Sequence, residues 1–315
     1  MNRCDMKSTV PIAFFKWKYE GREFAVAHQT FGAGPNVLFL PAMSTVSTRT
    51  EWDAVAARLA DQFTVTLVDW PGFGASSRPP ANYSPILYET FLRDFVRSVF
   101  GEPAAVMATG HAAGYVLRTA ASKIALWSRA VLAAPTWRGP LPTVMGQHPK
   151  IYAALRGLVA TPGLGHALYH INTSEWFLRR MYGRHVFVDS NRLTSQFLAE
   201  KQKVARQRGA RFAATAFVTG ALDPFTDRDK CLEALKAAPF PVLLVIGIQT
   251  PPKSRAEMDK LAGVCACPAL VMPGSLGLHE ECFDAIVAPV REFLAMKDAD
   301  MTTKPQNGLP LGGEP

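Results

Sequence analysis

The sequence predicts an α/β fold: one mostly parallel sheet flanked by helices, with a helical insertion late in the chain. Three observations predict it. Short, near-continuous apolar runs alternate with amphipathic helical patterns over most of the 315 residues. Two glycine-bearing turns each follow the end of such a run. From about Trp137 to Arg228 the alternation stops, and the chain turns helical in flavour, with Gly, Pro, Trp and many basic residues.

The elements follow in order. Ile12–Tyr19 and Glu23–Thr30 carry the polar–apolar alternation of an opening antiparallel pair. Asn36–Leu40, Phe63–Asp69, Ala104–Ala108, Ala130–Ala134, Pro241–Ile246 and Ala269–Met272 read as strands covered on both faces. Thr48–Leu59 is an amphipathic helix with Trp52, Val55, Ala56 and Leu59 on one side. Leu87–Phe100, Tyr115–Ile124 and Phe283–Met296 show the same period, and Asp227 reads as an N-cap ahead of a helix over Asp229–Ala237. The insertion is most simply a lid over the carboxyl ends of the strands. The expected organisation is therefore core residues 1–136, a helical cap over 137–228, core again over 229–298, and a disordered Pro/Gly-rich tail over 299–315.

Composition bounds the function. Hydrophobic residues make up 48% and charged residues 19%, enough for a large core. The net charge is +8, and its clearest cluster runs through Arg179, Arg180 and Arg184 to Lys201, Lys203, Arg206, Arg208 and Arg211. A solvated helix face is the plain reading; a rim that attracts an anionic ligand or anionic lipid heads is the sharper one. No zinc-finger, basic-zipper or RNA-binding signature is present, so nucleic acid is not expected. The five cysteines form no paired framework, and Cys265-Ala-Cys267 is too close for a metal knuckle. No metal or cofactor is expected. Met1–Asp5 lead into no apolar signal core, and no apolar run approaches the ~20 residues of a membrane span. A cytoplasmic location is the expectation, and the oligomeric state is open.

Asp69-Trp70-Pro71-Gly72-Phe73-Gly74 and Gly110-His111-Ala112-Ala113-Gly114 each leave a buried strand, the second entering a helix. Together they resemble the α/β-hydrolase fold, from Asn36 to Leu294. The resemblance implies an eight-stranded, mostly parallel sheet. The second segment is similar to the family's nucleophile elbow, whose tight strand-to-helix turn needs small flanking residues. The centre of this elbow is Ala112, whose methyl group cannot attack carbon. The family's acid position falls on Thr250 in Gly247-Ile248-Gln249-Thr250, and the alternative place, Pro135-Thr136-Trp137-Arg138, holds no carboxylate. The oxyanion loop reads Pro41-Ala42, so its donor falls to Ala42 or Met43, with Ala113 supplying the other.

One residue matches the family's general base, His279, between the last strand and the last helix. Thr109, Ser44, Ser275 and Cys282 are substitute polar groups near these motifs, each more simply an ordinary polar residue. His111 is expected to pack beneath the elbow. Glu280, Glu281 and Asp223 are the acids that could orient His279.

Three functions follow. The first is a small-molecule-binding pseudoenzyme or a non-hydrolytic enzyme using His279, with a largely apolar or anionic organic ligand under the cap. The second is an esterase-like hydrolase, with Ala112 marking an engineered or dormant nucleophile position. The third is an interaction module that docks through its basic cap.

Overall fold

The computed structural model describes residues 10–121, 125–264 and 267–296. Its eight strands are β1 (Ala13–Tyr19), β2 (Arg22–Gly32), β3 (Asn36–Leu40), β4 (Thr64–Val68), β5 (Ala104–Thr109), β6 (Trp127–Ala133), β7 (Val242–Gly247) and β8 (Ala269–Met272). They form one sheet in the order β1-β2-β4-β3-β5-β6-β7-β8. β2 runs antiparallel to β1 and β4, and every later neighbour is parallel. Every residue of β5 and β7 is buried, as expected where helices cover both faces.

The helices around the sheet are α1 (Asp53–Leu59), α2 (Pro85–Val99) and α3 (Ala112–Ala120), then α10 (Arg228–Lys236), α11 (Pro252–Val264), α12 (Leu278–Glu281) and α13 (Phe283–Ala295). Between β6 and β7 come α4 (Pro140–Met145), α5 (Pro149–Ala160), α6 (Leu164–Asn172), α7 (Glu175–Met181), α8 (Ser195–Ala205) and α9 (Ala210–Val218). α2 shows how local rules build the frame. Ser84 caps its N-terminus by accepting the Leu87 N–H, and Pro85 stands in the first turn, where no N–H is needed. Leu87, Tyr88, Phe91, Leu92, Phe95 and Val96 then bury one face. Tyr88, Tyr115 and Trp70 pack as an aromatic triangle, and each polar tip finds a backbone carbonyl: Pro71, Leu222 and Pro41, respectively. Asp227 caps α10 by accepting the Lys230 N–H.

The helical segment between β6 and β7 packs on the sheet side and is closed at its own base. Leu178, Tyr182, Phe187, Leu193, Leu198 and Ala205 make a small core of their own that takes in Val46 from the loop after β3. Gly139 donates its N–H to Asp223, closing the base of the segment at 2.7 Å. Cys231 and Cys282 are free thiols, whereas Cys267 is disulfide-bonded, so the expectation that no cysteine is paired fails there. Cys265, the end of the helix expected to reach Ile124, and the tail 299–315 lie outside the described residues. Among the described residues no helix is long and apolar enough to cross a membrane.

Candidate functional site

The β5–α3 turn is the geometric centre. Gly110 has φ +56°, a conformation that residues with a side chain rarely adopt. At Gly114 a Cβ would meet the Pro224 ring at 2.5 Å, so a small residue is required for close packing. These are the two flanks the sequence marks as small. Between them, Ala112 and Ala113 are buried, and Ala113 N–H donates to the Gly110 carbonyl at 3.2 Å.

His279 stands at the start of α12, buried to 2% exposure. The Trp52 ring lies over it with centroids 4.7 Å apart, and Trp52 is itself fixed by donating to the Leu40 carbonyl. Nδ1 of His279 meets the Thr109 hydroxyl at 3.3 Å. Nε2 faces Oε2 of Glu51 at 3.6 Å, an ion-pair distance too long for a hydrogen bond. The same Glu51 oxygen accepts the Ala42 N–H at 3.2 Å. Of the two candidate backbone donors after β3, Ala42 N–H is therefore already engaged by a carboxylate.

Glu51 belongs to a buried charged group. Lys201, from α8, places its ammonium 3.8 Å from Glu51 and 3.6 Å from Glu280. Burial alone would push the Glu51 carboxyl up, but the His279 contact, the Lys201 charge and Ser47 outweigh it, leaving it below the ordinary value. Glu280 moves the other way: burial and the Glu51 charge raise it, and Lys201 only partly offsets them. Lys201 resists its own burial because Tyr182, Glu280 and Glu51 face it, and it stays an ammonium. Glu51, His279 and Glu280 could each offer a ligand atom within 4.8 Å of the others. The cation that such an acidic cluster requires is already supplied by Lys201. A depression of ≈ 320 Å³ opens beside Glu51 and Glu280, walled by Thr50, Asp53, Ala54, Phe187, Arg192 and Phe197. A larger one of ≈ 440 Å³, around Tyr19, Arg22, Pro80 and Phe212, shares no residue with this cluster.

The remaining expected residues scatter. Thr250 is buried, and its hydroxyl has no hydrogen-bond partner among the described residues. Met43 is buried, and the Ser44 hydroxyl pairs with that of Ser47 at 2.6 Å. Ser275 donates to the His185 carbonyl, which helps bind the loop before His279 to the helical segment. Cys282 is half-buried. Of the acids that could orient His279, Glu281 instead accepts the Val188 and Asp189 N–H groups. Asp223 lies 3.6 Å from Nε2 of His111, which bonds the Leu222 carbonyl. Arg179 is engaged by Glu175 and the Leu193 carbonyl, and Arg180 and Arg184 are exposed. The buried cation at the site is Lys201, not one of these three arginines. Glu51 was missed by motif reading. Its signal was positional: with Val55 and Leu59 it falls at i, i+4, i+8, a charge on the buried face.

A family model described as "Alpha/beta hydrolase family" matches residues 37–290. Among solved structures, the epoxide hydrolase CorEH superposes with a TM-score of 0.69 at 18% identity, covering 90% of this chain and 99% of that one. A thermophilic esterase from Thermogutta terrifontis gives 0.66 at 17%, covering 90% and 98%. The enol-lactonase from Burkholderia xenovorans LB400 gives 0.66 at 17%, covering 90% and 100%. A stretch of 93 residues is 34% identical to "Uncharacterized protein Rv2715" of Mycobacterium tuberculosis, and it spans 30% of this chain and 25% of that relative.

Proposed function

This chain belongs to the alpha/beta hydrolase family, and we propose that it is a member without acyl-serine chemistry, which binds a small, largely apolar ligand beside the His279–Glu51 pair. Residues 137–228 act as the cap over that ligand, between the two parts of the core. The observation that carries this reading is Glu51, whose carboxylate holds the Ala42 N–H and faces His279. A tetrahedral intermediate develops negative charge at its oxygen and needs donors not already bound to an anion. Ala112 adds a methyl group where the family's elbow carries its attacking atom, and Thr250 takes the place of the acid. An ionised carboxylate facing an imidazole remains equipped to hold or move a proton on a bound ligand. The phenyl walls of the ≈ 320 Å³ depression favour an apolar ligand, and Glu51 and Glu280 at its edge disfavour an anionic one there. The esterase, lactonase and epoxide hydrolase above share the fold at 17–18% identity.

Hydrolysis of short-chain nitrophenyl esters tests the reading on the protein, Ala112→Ser and His279→Ala in parallel. The protein should hydrolyse no faster than His279→Ala, and Ala112→Ser should resist a serine-directed phosphonate while Glu51 occupies the Ala42 donor. Ester turnover by the protein that vanishes in His279→Ala would overturn it. So would rapid labelling of Ala112→Ser.

A further inference from the structure

The charge of this molecule is not spread evenly. Residues 137–228 hold 13 of its 34 Lys and Arg but only five of its 26 Asp and Glu, so the rest of the chain carries 21 of each. The whole positive excess sits on the helical segment between β6 and β7.

The same segment shows solvent an apolar face. On α5, Ile151 and Leu158 are exposed at i and i+7; on α6, Leu164, Leu168 and Ile171 are exposed at i, i+4 and i+7. Each set lies on one side of its helix. Their buried sides carry Tyr152, Val159 and Tyr169, of which Val159 and Tyr169 pack against Ala210 and Ala214. The two helices are joined by residues 161–163 and lie against one another. Trp176, in the first turn of α7, is 71% exposed, and Ile171 is 68% exposed. Arg179 and Arg180 follow on the same helix. Exposed apolar stripes on two adjoining helices are of the kind that marks an interaction site.

We propose that the α5–α6 hairpin and Trp176 form a docking face for an anionic lipid surface. Apolar side chains beside a basic field, with a tryptophan at the boundary, are the composition of an interfacial helix that lies in a headgroup layer. A second copy of the chain fits poorly, because a self-complementary contact would bring two positive fields together. The chain's own C-terminal residues fit poorly too. Met296 is held by Arg129 near the start of β6, whereas the segment leaves the end of that strand. Residues 297–315 contain no apolar run that could cover the stripes.

The molecule carries its own probe. Of the six tryptophans only Trp176 is exposed, the other five being at most 4% accessible. Quenching by acrylamide therefore reads Trp176. Vesicles of phosphatidylcholine with phosphatidylserine should shift its emission to the blue and shield it from the quencher, with added salt reversing the effect. Phosphatidylcholine alone should do neither. In sedimentation with the same anionic vesicles, the exposed pair Leu164→Ser and Ile171→Ser should lower the partition coefficient at least about tenfold. Trp176→Phe should still sediment but lose the optical signal. The proposal is overturned if the protein does not sediment with the anionic vesicles, or if the serine pair binds them unchanged. Shielding of Trp176 that grows with protein concentration in the absence of lipid would also overturn it, in favour of self-association.

Discussion

Two buried histidine–carboxylate pairs meet at the β5–α3 turn, and each has 3.6 Å between Nε2 and the facing oxygen. His279 faces Glu51; His111 faces Asp223. Distance does not separate them, but their surroundings do. Glu51 accepts a backbone N–H from Ala42 and has the Lys201 ammonium behind it, and its carboxyl stays ionised. Asp223 has only the half-buried Arg138 as a nearby cation; burial pushes its carboxyl up to about 7, and the Gly139 N–H and the Arg138 charge offset this only in part. Burial also lowers His111 to about 4, despite its bond to the Leu222 carbonyl. Between those values His111 is neutral and Asp223 keeps its proton, so this contact is no ion pair. One pair keeps an ionised carboxylate against its imidazole; the other is a neutral brace between the turn and the base of the helical segment.

Lys201 is what keeps the Glu51 side of this contrast charged. Lys201→Met leaves Glu51 and Glu280 facing each other without a counter-charge, and should cost about 3–5 kcal/mol at neutral pH. Denaturant melts check this. The loss should shrink in acid as the carboxylates take up protons, and Glu280→Gln on the same background should recover part of it. An unchanged midpoint at neutral pH would mean that the cluster is not held by charge.

Asp223 should respond to pH in the opposite sense. Its carboxyl is protonated in the fold up to about pH 7, while the unfolded chain ionises near the ordinary value. Across that window the unfolded state binds fewer protons, so stability falls as pH rises. Asp223→Asn keeps an oxygen for Gly139 and removes the penalty, so its advantage should grow from pH 4 to 7 and reach at most about 4 kcal/mol above that. Glu51, lowered instead, contributes stability that is present above the ordinary carboxylate value and lost as pH falls through its own. Thermal melts across pH separate the two carboxylates. A flat difference between Asp223→Asn and the parent would remove the neutral-brace reading.

The frame was legible because strands and turns announce themselves locally. The eight strand runs, the small residues at Gly110 and Gly114, and His279 between the last strand and helix all follow from short-range pattern. What joins His279 to Glu51 was not legible, because 228 positions separate them and only the sheet brings them together. The position where the family keeps its acid falls on Thr250. Yet the missed residues left a trace in the periodicity. Glu51 shares a helical face with Val55 and Leu59, and Lys201 shares one with Leu198 and Ala205. A single charge on each buried stripe is costly unless it meets its partner. These two meet each other.

The smallest effect tests how His279 is held. An ionised Glu51 can only accept, so across the 3.6 Å gap it favours an imidazole that turns Nε2–H toward it. Nδ1 is then the acceptor, and the Thr109 hydroxyl donates to it. Thr109→Val keeps the shape of the side chain in β5 but leaves Nδ1 without its donor, at a cost of about 1 kcal/mol. Thr109→Ser should restore the bond. Nitrogen chemical shifts of the His279 ring provide the sharper readout, since they distinguish the protonated from the bare nitrogen. They should report Nε2–H in the parent and in Thr109→Ser, and a mixture of tautomers in Thr109→Val. His111 is the internal control. Its Nε2 is fixed by the Leu222 carbonyl and its Nδ1 bonds nothing among the described residues, so its shifts should not move. Equal responses from both rings would show that the turn, not the hydroxyl, sets the state of His279.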